Sequence, residues 1–599
     1  MSANYIPSGN EMLSLPTINE KNAAIEDITF LSMQYKGLID IRGCTNQALI
    51  TPCIEIEGVS QPMSALKWQR LSYWVPQFSG SAGPLCVAGC ILAPIQERGF
   101  VYSLSLTNPT DTPLSVQYGL CGVWAGAVHC VNEEKELSGN KHCFASAWND
   151  SIVFDMRAGA PMFSFAPMAD LPLTTKFHQD GAGIHYTLMR TDTIESGQTV
   201  NLSIYWGIGY EEVAAATSAK EILRRGFDWE LTKTLAWLDA RVHHFENQKI
   251  SEIYNTNLFF CMFFSTGITF DTEEFIIATS RSPRYYVSAA YWDRDSLLWA
   301  FPAILDADAA IARQMLTYVF GRQRRNIGVH SRFIDGTVLE PGFELDELMA
   351  PILALQAYVV KTDDLAFLEE SDVKKGVAEI LAKLQTHRHP DFALYDTFLQ
   401  PTDDEIVYPY LTYNNVLVWK SLLAIAQLYP DFARLREEAE KVKKAIYELC
   451  VQEKDGKQFF AWSIDGNGHY DIYDEPPGSL QLLPYLDFCV AEDDIYCNTV
   501  EIIRSPSYAY SFATSPIAEI GCPHAPHPWI LSIANSLLCG RVEHCTHILL
   551  NIQMDNGIAC ESVDENSGIC TTGEAFATCA GFLCHAMRTA ISEANKHAK

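Results

Sequence analysis

The sequence predicts an α+β multidomain protein, an N-terminal antiparallel β-sandwich followed by an (α/α)6 helical toroid. Three observations carry this expectation. Short alternating apolar and polar segments, broken by Gly, Pro, Asn and Asp, run from about Ile25 to Tyr210. Near Glu211 the apolar spacing changes from every second residue to every third and fourth. Beyond Ile250 the helical stretches alternate with loops rich in Trp, Asp, Glu and His and show no fixed-period repeat, which favours a toroid over an α-solenoid.

The strand pattern is clearest in Phe100 to Leu106, followed by the turn signal Asn108-Pro109-Thr110-Asp111, and again in Thr199 to Gly207, where one face is aliphatic and the other polar. Helical spacing begins with Ser218 to Leu223 and Leu231 to Phe245. It continues in Leu298 to Phe320, Glu347 to Val360, Val373 to Gln385, Asn415 to Tyr429, Leu435 to Glu448, Trp529 to Leu538 and Phe576 to Ala594. A chain of 599 residues exceeds what one core usually organises. The expected division is a β-sandwich domain with a helical linker over 1–245 and a helical catalytic domain over 246–599.

Composition narrows the function. Hydrophobic residues make up 48% and charged residues 19%, a globular balance. Lys and Arg number 43 against 73 Asp and Glu, a net charge of −30, with no basic run to meet a phosphate backbone, so nucleic acid is an unsuitable partner. The N-terminus lacks a basic n-region followed by an apolar core, and no stretch approaches the length of a membrane span, so a cytoplasmic location is expected. The 18 cysteines are scattered and many sit in apolar runs such as Leu258 to Phe263, which reads as buried, reduced thiols. Spacings such as Cys86…Cys90 and Cys560…Cys570 lack a second paired module, so no metal is expected, and no cofactor fingerprint appears.

Four clusters carry chemistry. Tyr285-Tyr286 and Tyr291-Trp292-Asp293-Arg294-Asp295-Ser296 mix aromatic and ionic groups, which suits a sugar: a ring covers its C–H face while Asp and Arg bind its hydroxyls. The plainer reading is a helix start whose Asp caps and whose Arg pairs. Asp403-Asp404-Glu405 would ordinarily be a solvated loop, but it leads into the aromatic turn Tyr408-Pro409-Tyr410, where one acid is placed to work as a general acid. In Cys522-Pro523-His524-Ala525-Pro526-His527-Pro528, the prolines preclude a helical metal-ligand face and leave hydrogen bonding to a substrate or plain loop packing. Glu561 interrupts a small, apolar run and is either a satisfied structural group or a functional base.

Taken together these clusters resemble glycoside hydrolase family 125, the metal-independent exo-α-mannosidases, and more distantly the glucoamylase-like toroids. Trp292-Asp293-Arg294-Asp295-Ser296 looks like the family's W-L-R-D-S, Glu344-Leu345-Asp346-Glu347 like E-L-D-S, and Pro401-Thr402-Asp403-Asp404 like P-S-D-D. Cys522-Pro523-His524-Ala525-Pro526 resembles S-P-H-T-P, and Cys560-Glu561-Ser562-Val563 resembles H-E-S-F. The resemblance spans roughly residues 275 to 590. It departs at Asp293, which replaces an apolar residue, at Cys560, which replaces His, and in the added β domain.

That resemblance implies an inverting, exo-acting α-glycoside hydrolase on an oligosaccharide or glycoside. An acid of the Asp403–Asp404 pair, with Asp403 favoured for its spacing before the next helix, protonates the leaving oxygen, and Glu561 activates water on the opposite face. Arg294, Asp295, Asp346 and His524 would grip the terminal sugar, Asp293 would add a hydroxyl contact, and Trp292 or Tyr286 would give a platform. The alternatives are a glucoamylase-like α-glucosidase, a glycoside phosphorylase, and a non-catalytic carbohydrate-binding protein.

Overall fold

The computed structural model describes residues 4–597 of the chain. It separates into two compact units: the chain up to Val242 with Thr266–Ile276 and Arg281–Ala289, and His243–Ser265 with Ile277–Ser280 and Ala290 onward.

The first unit is an antiparallel β-sandwich built from sheets of six, eight and five strands. At the middle of the eight-stranded sheet, Gly99–Thr107 pairs with Thr199–Gly209 in unbroken register, Phe100 opposite Trp206 and Leu104 opposite Leu202. Strand geometry sends alternate side chains to one face, so Phe100, Tyr102, Leu104 and Leu106 all enter the core. Aromatic rings fill the space between the sheets: Phe154 stacks on Phe165 at 4.5 Å, and Trp124 stands edge-on to Phe165 at 5.2 Å. The helix Glu212–Arg225 buries Ala215, Ala216, Ala219 and Ile222, a stripe at helical spacing, against the strands Ala160–Ala169 and Thr199–Gly209.

Two expectations are corrected in this part of the chain. Cys53 and Cys121 form a disulfide between the neighbouring strands Thr51–Ile56 and Leu114–Trp124, so the thiols are not all reduced. The helix read from Leu231 to Phe245 stops at Asp239. In the second unit Asn255 accepts the His243 N–H at 2.9 Å and donates to the His243 carbonyl at 2.8 Å, bonds that satisfy that backbone outside a helix.

The second unit is mainly helical. The helix Gln248–Ser265 packs against Ala577–His597, which also meets Ile530–Leu538, while Leu345–Thr362 packs against Thr412–Leu428. The single helix expected from Leu298 to Phe320 is three pieces: a π-helical turn Arg294–Ala300, then Phe301–Ala307, then Ala309–Gly321. Asp308 makes the last break. Its backbone is extended and its carboxylate caps the next helix by accepting the N–H groups of Ala310 at 2.9 Å and Ile311 at 3.2 Å. No helix among the described residues is long and apolar enough to cross a membrane.

Candidate active site

The π-helical turn Arg294–Ala300 brings two successive ionic residues, Arg294 and Asp295, into the interior. Arg294, 2% exposed, is surrounded by carboxyls. Its Nη1 donates to Glu344 Oε2 at 2.7 Å and to Asp346 Oδ2 at 3.2 Å, and its Nη2 donates to Asp403 Oδ1 at 2.6 Å. Glu347 Oε1 lies 3.7 Å from Nη1, and Asp295 Oδ2 lies 3.6 Å from Nε. Glu344, Asp346 and Glu347 sit at the start of the helix Leu345–Thr362, where the helix dipole favours negative charge.

One guanidinium cannot neutralise so many acids in a buried place. Burial, followed by the charge of neighbours including Asp403, pushes Asp295 and Glu344 up to about 7 despite the attraction of Arg294, and raises Asp346 as well. Glu347 is driven well above the carboxylate range by burial and by Glu344 and Asp293. His330 adds a second cation. Its Nδ1 meets Glu344 Oε1 at 2.8 Å and its Nε2 meets Glu340 Oε2 at 3.2 Å. Burial opposes its charge, but these bonds hold the ring up at about 10.

The loop carrying the acid pair is tightly turned. The Asp403 N–H donates to the Gln400 carbonyl at 2.8 Å, the Gln400 N–H donates to the Asp404 carbonyl at 2.9 Å, and Asp403 has a left-handed φ of 69°. Such a conformation in a residue other than Gly costs of order 1–3 kcal/mol and persists where surrounding structure enforces it. Asp403 faces Arg294. Asp404 instead meets His524 Nδ1 at 3.3 Å. That bond raises His524 to about 9, with help from the charges of Glu561 and Asp403, and lowers Asp404.

Glu561 is 2% exposed. Its N–H donates to the Gly573 carbonyl at 3.1 Å, and the Thr572 hydroxyl donates to its Oε1 at 3.5 Å. Gly573 is a glycine for two reasons: its φ is 62°, and a Cβ there would fall 2.8 Å from Glu561 Oε2.

Arg294, Asp295, Asp346, Asp403, Asp404, His524 and Glu561 are thus linked by contact or by charge in one neighbourhood of the second unit. The other three expected residues stand differently. Trp292 is 3% exposed, edge-on to His330 at 5.8 Å, and so flanks the cluster as a wall more than as an open platform. Asp293 is wholly buried and holds structure together: the Tyr291 hydroxyl donates to its Oδ1 at 2.5 Å, and Arg332 pairs with its Oδ2. Tyr286 belongs to the first unit, half exposed and tilted against Tyr285 at 4.7 Å. His330 was not singled out by sequence reasoning, and Glu344 and Glu347 entered it only as members of the Glu344–Glu347 motif, with no role given to them. His330 lies in a plain strand, Val329–Arg332, with nothing to mark it.

Ligand atoms of His330, Glu344 and Asp403 lie within 4.8 Å of one another, which could suit a metal ion. The fit is poor, because Arg294 already holds both Glu344 and Asp403.

A helical unit that gathers acids from separate segments of the chain around buried cations holds the groups that acid–base chemistry uses. The comparisons give that class a more particular form. Residues 390–588 match the family model of metal-independent alpha-mannosidases, GH125, the family that the motifs resemble, and the match supports a glycosidase. A curated relative, the meiotically up-regulated gene 157 protein of Schizosaccharomyces pombe, is 28% identical over 191 residues, 29% of this chain and 37% of its own length. The chain therefore spans little more than a third of that relative. Among solved structures, a metal-independent alpha mannosidase of Streptococcus pneumoniae, in a non-productive complex with alpha-1,6-mannobiose, is 18% identical and covers 57% of this chain and 94% of its own, with a TM-score of 0.50. A bacterial glucoamylase complexed with acarbose is 12% identical over 99% of this chain and 94% of its own, with a TM-score of 0.65. At these identities the structural likeness is one of fold.

Proposed function

We propose that the protein is an inverting, exo-acting α-glycoside hydrolase, an α-mannosidase that needs no metal, with its helical unit arranged as an (α/α)6 toroid. One observation carries the reading: His524 meets Asp404 at 3.3 Å, and the loop that bears His524 runs on to Ile530, whose N–H donates to the Glu561 carbonyl at 3.0 Å, so loops far apart in the chain bring the two acids together. These residues all fall within the span that matches the mannosidase family.

Asp403 is the proposed proton donor to the leaving oxygen. Its side chain is a third exposed, where Asp295, Glu344 and Asp346 beside it are buried, so a substrate's leaving oxygen can reach it. Glu561 draws the proton from water on the other face as positive charge develops at the anomeric carbon. Inversion requires carboxyls roughly 6.5–9.5 Å apart. Arg294, Asp295 and Asp346 bind hydroxyls of the terminal sugar, and His524, cationic near neutral pH, keeps Asp404 ionised on the leaving-group side.

A glucoamylase-like α-glucosidase is the second reading, favoured by the bacterial glucoamylase fold that covers both units. Release of free monosaccharide from matched α-mannosides and α-glucosides, with EDTA present, decides between them. Mannose alone supports the proposal, glucose alone supports the second reading, and release of neither from any member of the panel overturns both.

A further inference from the structure

Glu475 is fully buried and lies outside the set of acids assigned above. The Thr402 N–H donates to its Oε1 at 2.9 Å, the Thr402 hydroxyl to its Oε2 at 2.9 Å, and the Tyr473 hydroxyl to the same oxygen at 3.2 Å. Thr402 directly precedes Asp403, whose φ of 69° is left-handed, so these bonds hold the chain where it turns. The segment that carries Glu475 is itself fixed. Asp474 accepts the Ser479 hydroxyl at 2.7 Å and the Leu480 N–H at 2.7 Å, and the Asn535 side chain donates to the Pro476 carbonyl at 2.9 Å. Behind the acid loop, Gly478 lies so near Pro401 that a Cβ would fall 2.5 Å from the proline ring.

We propose that Glu475 is a positioning residue for the acid loop: both its oxygens clasp Thr402 and so set where Asp403 and Asp404 point. The inference rests on the glycosidase reading for its effect on turnover, but not for its effect on the loop. Burial raises the Glu475 carboxyl while the Thr402 bonds lower it, and both its oxygens are engaged in hydrogen bonds of set geometry. An amide of the same shape can keep the bond to the Thr402 N–H while its –NH2 donates to the two hydroxyls, which are able to accept.

The test compares Glu475→Ala and Glu475→Gln with the parent in two independent assays, steady-state turnover of the released-sugar substrate and amide hydrogen exchange across Gln400–Glu405. Displacing a reacting group by an ångström can cost about 10²-fold. Glu475→Ala is expected to lose about that much in kcat with KM within threefold, and to exchange faster at Thr402 and Asp403, whereas Glu475→Gln stays within about fivefold of the parent in both assays. Unchanged exchange in Glu475→Ala, or an equal kcat loss in both variants, overturns the positioning role. Absence of turnover in the parent sinks the glycosidase reading and leaves the exchange result to decide the clasp. Should Glu475→Ala fail to fold, Thr402→Val removes one bond of the clasp; it must lower kcat while Thr402→Ser restores it, and equal kcat in Thr402→Val and the parent contradicts the proposal.

Discussion

At the level of single residues, what separates the acids is the partner each one holds. Asp403 is bound by Arg294, Asp404 by His524, and Glu561 is nearly enclosed, with a glycine opposite it. If Asp403 is the donor, Asp403→Asn loses about 10²–10⁴-fold in kcat on a disaccharide and recovers most of that on an aryl glycoside whose phenol needs no proton. Recovery in Asp404→Asn instead would move the donor by one residue. Gly573→Ala puts a methyl group against Glu561 at a backbone angle that resists it, so kcat is expected to fall by more than tenfold, with binding of a non-hydrolysable analogue kept. The His524–Asp404 pair makes a pH prediction. His524 titrates near 9 when folded, above about 6.5 in the unfolded chain, so its contribution to stability is complete below about 6.5 and is lost as pH rises through 9. Asp404 is shifted down, so its share is lost only as pH falls through its lowered value. The difference in unfolding midpoint between the parent and His524→Gln is therefore expected to be greatest near pH 5–6.5 and to shrink by pH 10. Most of this set was legible in the sequence because unlike residue types stood in one ordered series of motifs. His330 and Glu475 were not, since each acts through a partner many residues away, and nothing local distinguishes a clasping acid from a solvated one.

At the level of elements, helical periodicity marked where helices lie better than where they break. Apolar spacing from Leu298 to Phe320 runs on through three segments, because Phe301, Ile304, Ala312 and Met315 all enter the core. The break belongs to Asp308, a residue that caps well and continues a helix poorly. Asp308→Ala is expected to cost about 1 kcal/mol in denaturant unfolding and to leave turnover unchanged. A loss of turnover would show that the capped helix bears on the site. The π-helical turn Arg294–Ala300 left no sign in composition, since an added residue in a turn changes which hydrogen bonds form without requiring a particular side chain. Its consequence is positional: it is the turn that carries Arg294 and Asp295 into the interior.

At the level of the whole molecule, strand alternation and the change of spacing near Glu211 foretold a sandwich followed by helices, because each pattern repeats over many residues. The Cys53–Cys121 disulfide could not be foreseen in the same way, as the two cysteines stand 68 apart and nothing in their flanks pairs them. A net charge of −30 bears on stability rather than fold. Raising monovalent salt from about 0.02 to about 0.3 M shortens the screening length and is expected to raise the unfolding midpoint; a fall would mean that local ion pairs such as Arg313 with Glu370 and Arg324 with Glu379 outweigh the overall repulsion.

The most direct measurement is the anomer of the first sugar released from an α-mannoside, followed by proton NMR in EDTA, for the parent and for Glu561→Gln. The account predicts β-mannose before mutarotation from the parent, and no release from Glu561→Gln although it still binds the substrate. α-Mannose as the first product, or equal release by the variant, would contradict it.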